Sequence, residues 1–231
     1  MYGRKYNKVL TVILILIIVA IIALLGYLAF NYFTNKNTQN GASEYVDAFD
    51  QTIATEAPTD GSEASESPEN DEALNTVETG NSESSSKKAT TVTTYKGFEV
   101  LGTIKIKEPG VNIKYPVLAK LSDKALKTAV VAVYPSPTTL NTVGNVVIQG
   151  HNYRNGTFFS DLKKLSVGDS IYITDLNGKE VEYKIYNIFE ASETDTSFYN
   201  RDTDGAMEIT LSTCTDDSKA RTIIEARADA N

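Results

Sequence analysis

Glu208-Ile209-Thr210-Leu211-Ser212-Thr213-Cys214 is a short run in which polar and apolar residues alternate, and it ends on the single cysteine of the chain. Alternation with period two reads as a β-strand with one face buried, because successive side chains point to opposite faces. The run therefore delivers a thiol at its C-terminal end. The single histidine, His151, follows a second strand-like run, Asn145-Val146-Val147-Ile148-Gln149-Gly150. That run is almost continuously apolar, which predicts a central strand. One cysteine and one histidine, each at the end of its own strand, are the minimum set for thiol nucleophilic catalysis. The thiolate is the reactive form, so such a site also needs a base or positive charge nearby. Arg221 opens the strand-like run 222–227, seven residues after Cys214. If the two runs pair as a hairpin, Arg221 and Cys214 share one end of the sheet. Arg227, further along the same run, is a rival for that role.

Further strand-like runs lie outward from this pair. Residues 98–106 and 111–118 alternate on either side of Pro109-Gly110, and 130–133 is apolar. Residues 170–174 and 180–185 flank Asn177-Gly178, a hairpin signal. Ser122-Asp123 starts a short helix over 124–128, and 158–165 reads as a second, with Phe158, Phe159, Leu162 and Leu165 on one side. About eight strands with two short helices predict an all-β domain, an antiparallel barrel or sandwich. The polar connection 191–205 is long enough to carry function.

Charge divides the chain sharply. Residues 1–40 carry +4, residues 41–86 carry −12 with no Lys or Arg, and residues 87–231 balance to zero. The acidity belongs to one segment, and no basic block points to nucleic acid. A lone cysteine excludes an internal disulfide, so burial and hydrogen bonding must hold the fold.

Residues 9–30 contain no charge and are broken only by Thr11, Gly26 and Tyr27. As a helix these 22 residues reach about 33 Å, enough to cross a bilayer core of about 30 Å. Arg4, Lys5 and Lys8 precede the span and Lys36 follows it, which predicts a cytoplasmic N-terminus and an extracellular remainder. The expected organisation is a cytoplasmic N-terminus (1–8), a transmembrane anchor (9–30), an acidic disordered linker (31–94) and a catalytic domain (95–231). Apolar residues in the linker are too sparse to bury a core, although a marginal amphipathic turn is possible around 44–49. About 60 such residues span roughly 45 Å as a coil.

Other chemistries have less support. One Cys, one His and scattered carboxylates show no metal-ligand spacing. Glu193, Asp195, Asp202 and Asp204 supply oxygens for calcium, but no spacing compels it, so no cofactor is expected. Asp216-Asp217 and Asp202/Asp204 leave a carboxylate-pair hydrolase open, and a buried, inert Cys214 remains open too.

Thr210-Leu211-Ser212-Thr213-Cys214 followed by Arg221 resembles the active-site signature of the sortases, Thr-Leu-x-Thr-Cys with an arginine further on. The resemblance extends over nearly all of residues 98–231. It includes Leu101-Gly102-Thr103-Ile104, Ser122-Asp123-Lys124-Ala125-Leu126, Gly144-Asn145-Val146-Val147-Ile148-Gln149-Gly150-His151, Phe158-Phe159-Ser160-Asp161-Leu162 and Val167-Gly168-Asp169. It implies a closed eight-stranded β-barrel in which His151, Cys214 and Arg221 line one groove. It further implies a cysteine transpeptidase of the cell envelope, in which Cys214 attacks the carbonyl after the Thr of a C-terminal sorting motif of the LPxTG kind. His151 protonates the departing amine, and Arg221 holds substrate and stabilises the oxyanion. An amine of a cell-wall precursor or a pilin resolves the thioester, and the 191–205 connection resembles the loop sortases use for substrate selection. The connection is short for the helical insertion of class B relatives, and the subclass is left open. A hydrolytic thiol peptidase and a non-catalytic envelope-binding barrel are the alternatives.

Overall fold

A computed structural model of the chain describes residues 2–56, 93–135 and 139–229. It comprises two compact units, divided between Gly41 and Ala42. Helix α1 (Tyr2–Glu56) contributes to both. In the first unit, the helix is apolar on all sides from Leu10 to Phe30, and none of its most apolar stretch is buried. Leu16, Ile22 and Phe30 are each more than 60% exposed. A helix of this kind is long and apolar enough to cross a membrane.

The second unit is built on strands β1 (Thr94–Tyr95), β2 (Phe98–Glu108), β3 (Val111–Leu118), β4 (Val130–Tyr134) and β5 (Gly144–Gln149). They are followed by β6 (Ser170–Asp175), β7 (Glu180–Ser192), β8 (Met207–Cys214) and β9 (Ala220–Ala228). The short helix α2 (Asp123–Leu126) lies between β3 and β4, capped by the Ser122 hydroxyl, which accepts from Ala125 N. The strands run in the order β1-β2-β3-β4-β5-β8-β9-β7-β6, and β2 also pairs with β6. That last pairing closes eight strands into a barrel, with β1 as a two-residue appendage to β2. Closure leaves the ring without free edges. Ile104, Ile106, Ile148, Ile171, Ile173, Leu211 and Ile224 fill the interior.

The expected antiparallel arrangement is corrected in two places. β3 pairs with β4 in parallel, across α2, and β5 pairs with β8 in parallel, across more than fifty intervening residues. Gly102 sits at the register shift in β2, paired with Val117 on one side and Asp175 on the other: its φ is +153°, and a Cβ there would fall 2.1 Å from the Thr174 carbonyl oxygen. Only glycine fits.

Two local expectations also change. Residues 158–165 form no α-helix; a single 3₁₀ turn covers Leu162–Lys164. The four apolar side chains do enter the core. The backbone is held otherwise, because Asn155 Oδ1 accepts from Thr157 N and Oγ1, and Ser160 Oγ donates to Thr157 O. Such local side-chain bonds compete with helix formation.

The expected linker from residue 31 is instead helical as far as Glu56. Within the second unit, Ala42, Val46 and Phe49 are spaced to form one helical stripe, and all three are buried. Tyr45 meets Tyr95 edge-on at 5.0 Å, and Asp50 binds Lys105 at 3.2 Å while Asp47 binds Lys114. Docking on the barrel supplies the stability that so sparse a stripe lacks alone. The rest of the expected linker, residues 57–92, lies outside the described residues.

Candidate active site

The strand registers decide which side chains can meet. On β8, Ile209 and Leu211 point into the core, so Thr210, Ser212 and Cys214 belong to the outer face. Across β9, Thr210 pairs with Glu225, Ser212 with Ile223, and Cys214 with Arg221. On the other side, Asn145, Val147 and Gln149 of β5 pair with Glu208, Thr210 and Ser212. His151 continues this outward set two residues after Gln149.

Because β5 and β8 are parallel, both deliver their C-terminal ends to the same rim. Hydrogen bonds carry the pairing beyond β5: Gly150 N donates to Ser212 O at 3.2 Å, and Thr213 Oγ1 donates to Gly150 O at 2.8 Å. Asn152 Nδ2 then donates to Cys214 O at 2.9 Å and to Asp216 Oδ1 at 3.0 Å. His151 therefore lies within a segment fastened to the cysteine strand on both sides. Gly150 permits this path, since a Cβ would sit 2.8 Å from two carbons of the Phe159 ring. On the opposite flank, Thr215 N donates to Ala220 O at 2.9 Å and closes the β8–β9 turn. That turn holds Arg221 across from Cys214.

His151, Cys214 and Arg221 are all half-buried at this rim. The His151 ring lies 4.8 Å from that of Tyr153, which in turn meets Phe158 at 5.6 Å. Burial lowers the His151 pKa below 6.5, and the charge of Lys127 lowers it further against the opposing effect of Asp123. The imidazole is therefore neutral at pH 7 and able to accept a proton. Among the described residues, no carboxylate stands within ion-pairing distance of Arg221, which leaves its charge for the site. Arg227 is placed elsewhere. It pairs across the ladder with Glu208, at the far end of β8, and binds that carboxylate at 2.6 Å.

The acidic residues weighed from the sequence are occupied locally. Asp216 binds Lys163 and Asn152, and Asp217 Oδ1 accepts from Thr215 Oγ1 and Lys219 N. Asp195 and Asp202 each accept a backbone N–H two residues on. Among the described residues no group of three His, Cys, Asp or Glu side chains is disposed to hold a metal ion.

An apolar patch continues from the rim along the outer face: Val147, Ala191 and Ile223 are buried there under Phe198 of the 193–206 connection. Tyr199 beside Phe198 approaches Tyr134 at 5.6 Å. Asn152, Tyr153 and the partners of the 193–206 connection were not singled out by sequence. Only the length of that connection signalled it.

A closed barrel with cysteine, histidine and arginine on one rim fits a family already suggested by the motifs. The Sortase domain family model matches residues 105–229. The chain belongs to the sortase family. It is 34% identical over 117 residues to sortase A of Bacillus anthracis, spanning 50% of this chain and about half (52%) of that relative. Among solved structures, a Clostridium perfringens sortase D5 transpeptidase superposes with a TM-score of 0.52 at 28% identity, covering 65% of this chain and 91% of the other. C. perfringens sortase C, with a C-terminal cell wall sorting motif, gives 0.50 at 26% identity, covering 61% and 76%.

Proposed function

We propose that the chain is a membrane-anchored cysteine transpeptidase acting on secreted proteins that carry a C-terminal sorting motif. The observation that carries this reading is the Cys214–Arg221 register pair, with the His151 segment fastened to the other side of the same strand end. The kinship with sortase C bearing a sorting motif supports the substrate class.

The chemistry follows from the placement. Neutral His151 takes the proton of the Cys214 thiol as the sulfur bonds to the carbonyl carbon of the motif's Thr. The resulting oxyanion is stabilised by the planar, cationic Arg221 guanidinium. Collapse breaks the C–N bond, and the imidazolium returns its proton to the departing amine. A primary amine of a cell-wall precursor or a pilin then attacks the thioester and gives its proton to His151. The second collapse releases the Cys214 sulfur, which recovers that proton.

Helix α1 anchors the protein in the membrane, with the N-terminus in the cytoplasm and the barrel outside. The apolar span and the basic residues before it support this placement. Supplying an LPxTG peptide with and without an amine acceptor tests the reading: ligated product is expected, whereas hydrolysis alone identifies a thiol peptidase.

A further inference from the structure

The connection between β7 and β8 has no regular structure of its own, yet Phe198 at its centre is only 3% exposed. One side chain ties it to four strands of the barrel. Arg201 reaches back from the connection onto the outer face of the barrel, where Nη1 donates to Tyr186 Oη at 2.5 Å and binds Glu208 Oε2. Nη2 lies 3.3 Å from both Asn145 Oδ1 and Thr210 Oγ1, and Nε lies 3.1 Å from Glu225 Oε1 as an ion pair without hydrogen-bond geometry. Four strands (β5, β7, β8 and β9) are thus gripped by one guanidinium. Asn145 completes the link, because its Nδ2 donates to Phe198 O and Tyr199 O, each at 3.0 Å.

The Glu208 side chain is fully buried, that of Glu225 is 9% exposed and that of Arg201 18%. Buried ionic clusters contribute little net stability relative to apolar packing, and their value lies in selecting one arrangement. Here the selected arrangement seats Phe198 on the Val147, Ala191 and Ile223 patch and holds half-buried Tyr199 beside it, on the flank of the barrel that leads to Arg221 and Cys214.

We propose that Arg201 is a specificity-determining positioning residue, latching the 193–206 connection so that buried Phe198 fixes half-buried Tyr199 as a wall of the peptide groove. The proposal rests on the transpeptidase reading, and it acts through those aromatic residues rather than on the reacting atoms. Lysine keeps the charge that offsets Glu208 and Glu225 but cannot fork to Tyr186, Glu208, Asn145 and Thr210 at once.

The test compares the full chain with Arg201→Lys and Arg201→Met, using a fluorogenic LPxTG peptide. For Arg201→Lys, KM rises about tenfold while kcat stays within about twofold, since uniform binding is lost rather than transition-state contacts. The alkylation rate of Cys214 by iodoacetamide is unchanged, and amide exchange across 196–200 accelerates. Unchanged KM in a folded Arg201→Lys protein overturns the latch. So does a parallel fall of kcat and alkylation rate, which marks a general scaffold. If Arg201→Met does not fold, Arg201→Lys decides. If the wild-type chain fails to turn over the peptide, the transpeptidase reading is what fails. Amide exchange then judges the latch alone, and equal exchange in both proteins rejects it.

Discussion

Cys214 stands directly across the β8–β9 ladder from Arg221. Paired residues of an antiparallel ladder present their side chains on the same face, so thiol and guanidinium share one rim of the barrel. Replacing Arg221 by Ala removes the charge placed for the oxyanion. The expected loss in kcat is about 10²- to 10³-fold. Arg221→Lys recovers part of it, since charge survives but the planar fork does not. Steady-state kinetics on an LPxTG peptide reads both variants, and wild-type turnover by Arg221→Ala contradicts the assignment.

The Asn152 clamp predicts a subtler defect. Its amide joins the histidine segment to Cys214 O and Asp216. Asn152→Ala loses about 1 kcal/mol of hydrogen bonding. A misplaced His151 should lower kcat by more, about tenfold, because small shifts of a catalytic group are costly. A melt and a kinetic assay on the same variant separate the two effects.

The lowered His151 pKa sets the pH response. Acylation requires the neutral imidazole, so kcat/KM falls as pH drops through a midpoint below 6.5. Stability moves the same way. The unfolded chain binds this proton more readily, so the contribution is full above the unfolded value near 6.5 and is lost progressively as pH falls below it. His151→Gln removes that contribution to both curves. A pH–rate profile whose acid limb lies well above 6.5 contradicts the placement.

Docking of α1 on the barrel is testable by Phe49→Ala. Phe49 is 1% exposed, so the expected destabilisation is about 3 kcal/mol or more. Calorimetry reads the lowered Tm, while kcat per folded molecule stays unchanged because Phe49 lies outside the site.

The strands of the barrel were legible because period-two alternation is a local property, and β5 and β8 were read within a residue of their observed bounds. Cys214 and His151 were legible because each is the only one of its kind and ends a strand. Pairing beyond the hairpins at Asn177-Gly178 and Cys214–Arg221 was not legible: whether β5 lies parallel to β8 depends on the path of more than fifty residues between them. The helix over 42–56 was legible only as a marginal turn around 44–49, since three apolar residues in an acidic segment bury nothing until a barrel is present. The 158–165 segment carried a helical apolar pattern that Asn155, Thr157 and Ser160 override through side-chain bonds. Arg201 gave no signal, because a loop arginine looks solvated until four strands converge on it. Arg221 was preferred over Arg227 because it opens its strand as the sortase-like pattern requires, and the ladder sets the two at opposite ends of β8.

The central claim is that the Cys214 sulfur forms a thioester with the Thr carbonyl of a sorting motif. Intact-mass measurement of the full chain mixed with an LPxTG peptide tests it most directly. The account predicts an adduct on Cys214 with the mass of the N-terminal peptide fragment, discharged by an added primary amine and absent in Cys214→Ala. Peptide turnover by a folded Cys214→Ala protein, or an adduct on any other residue, would contradict it.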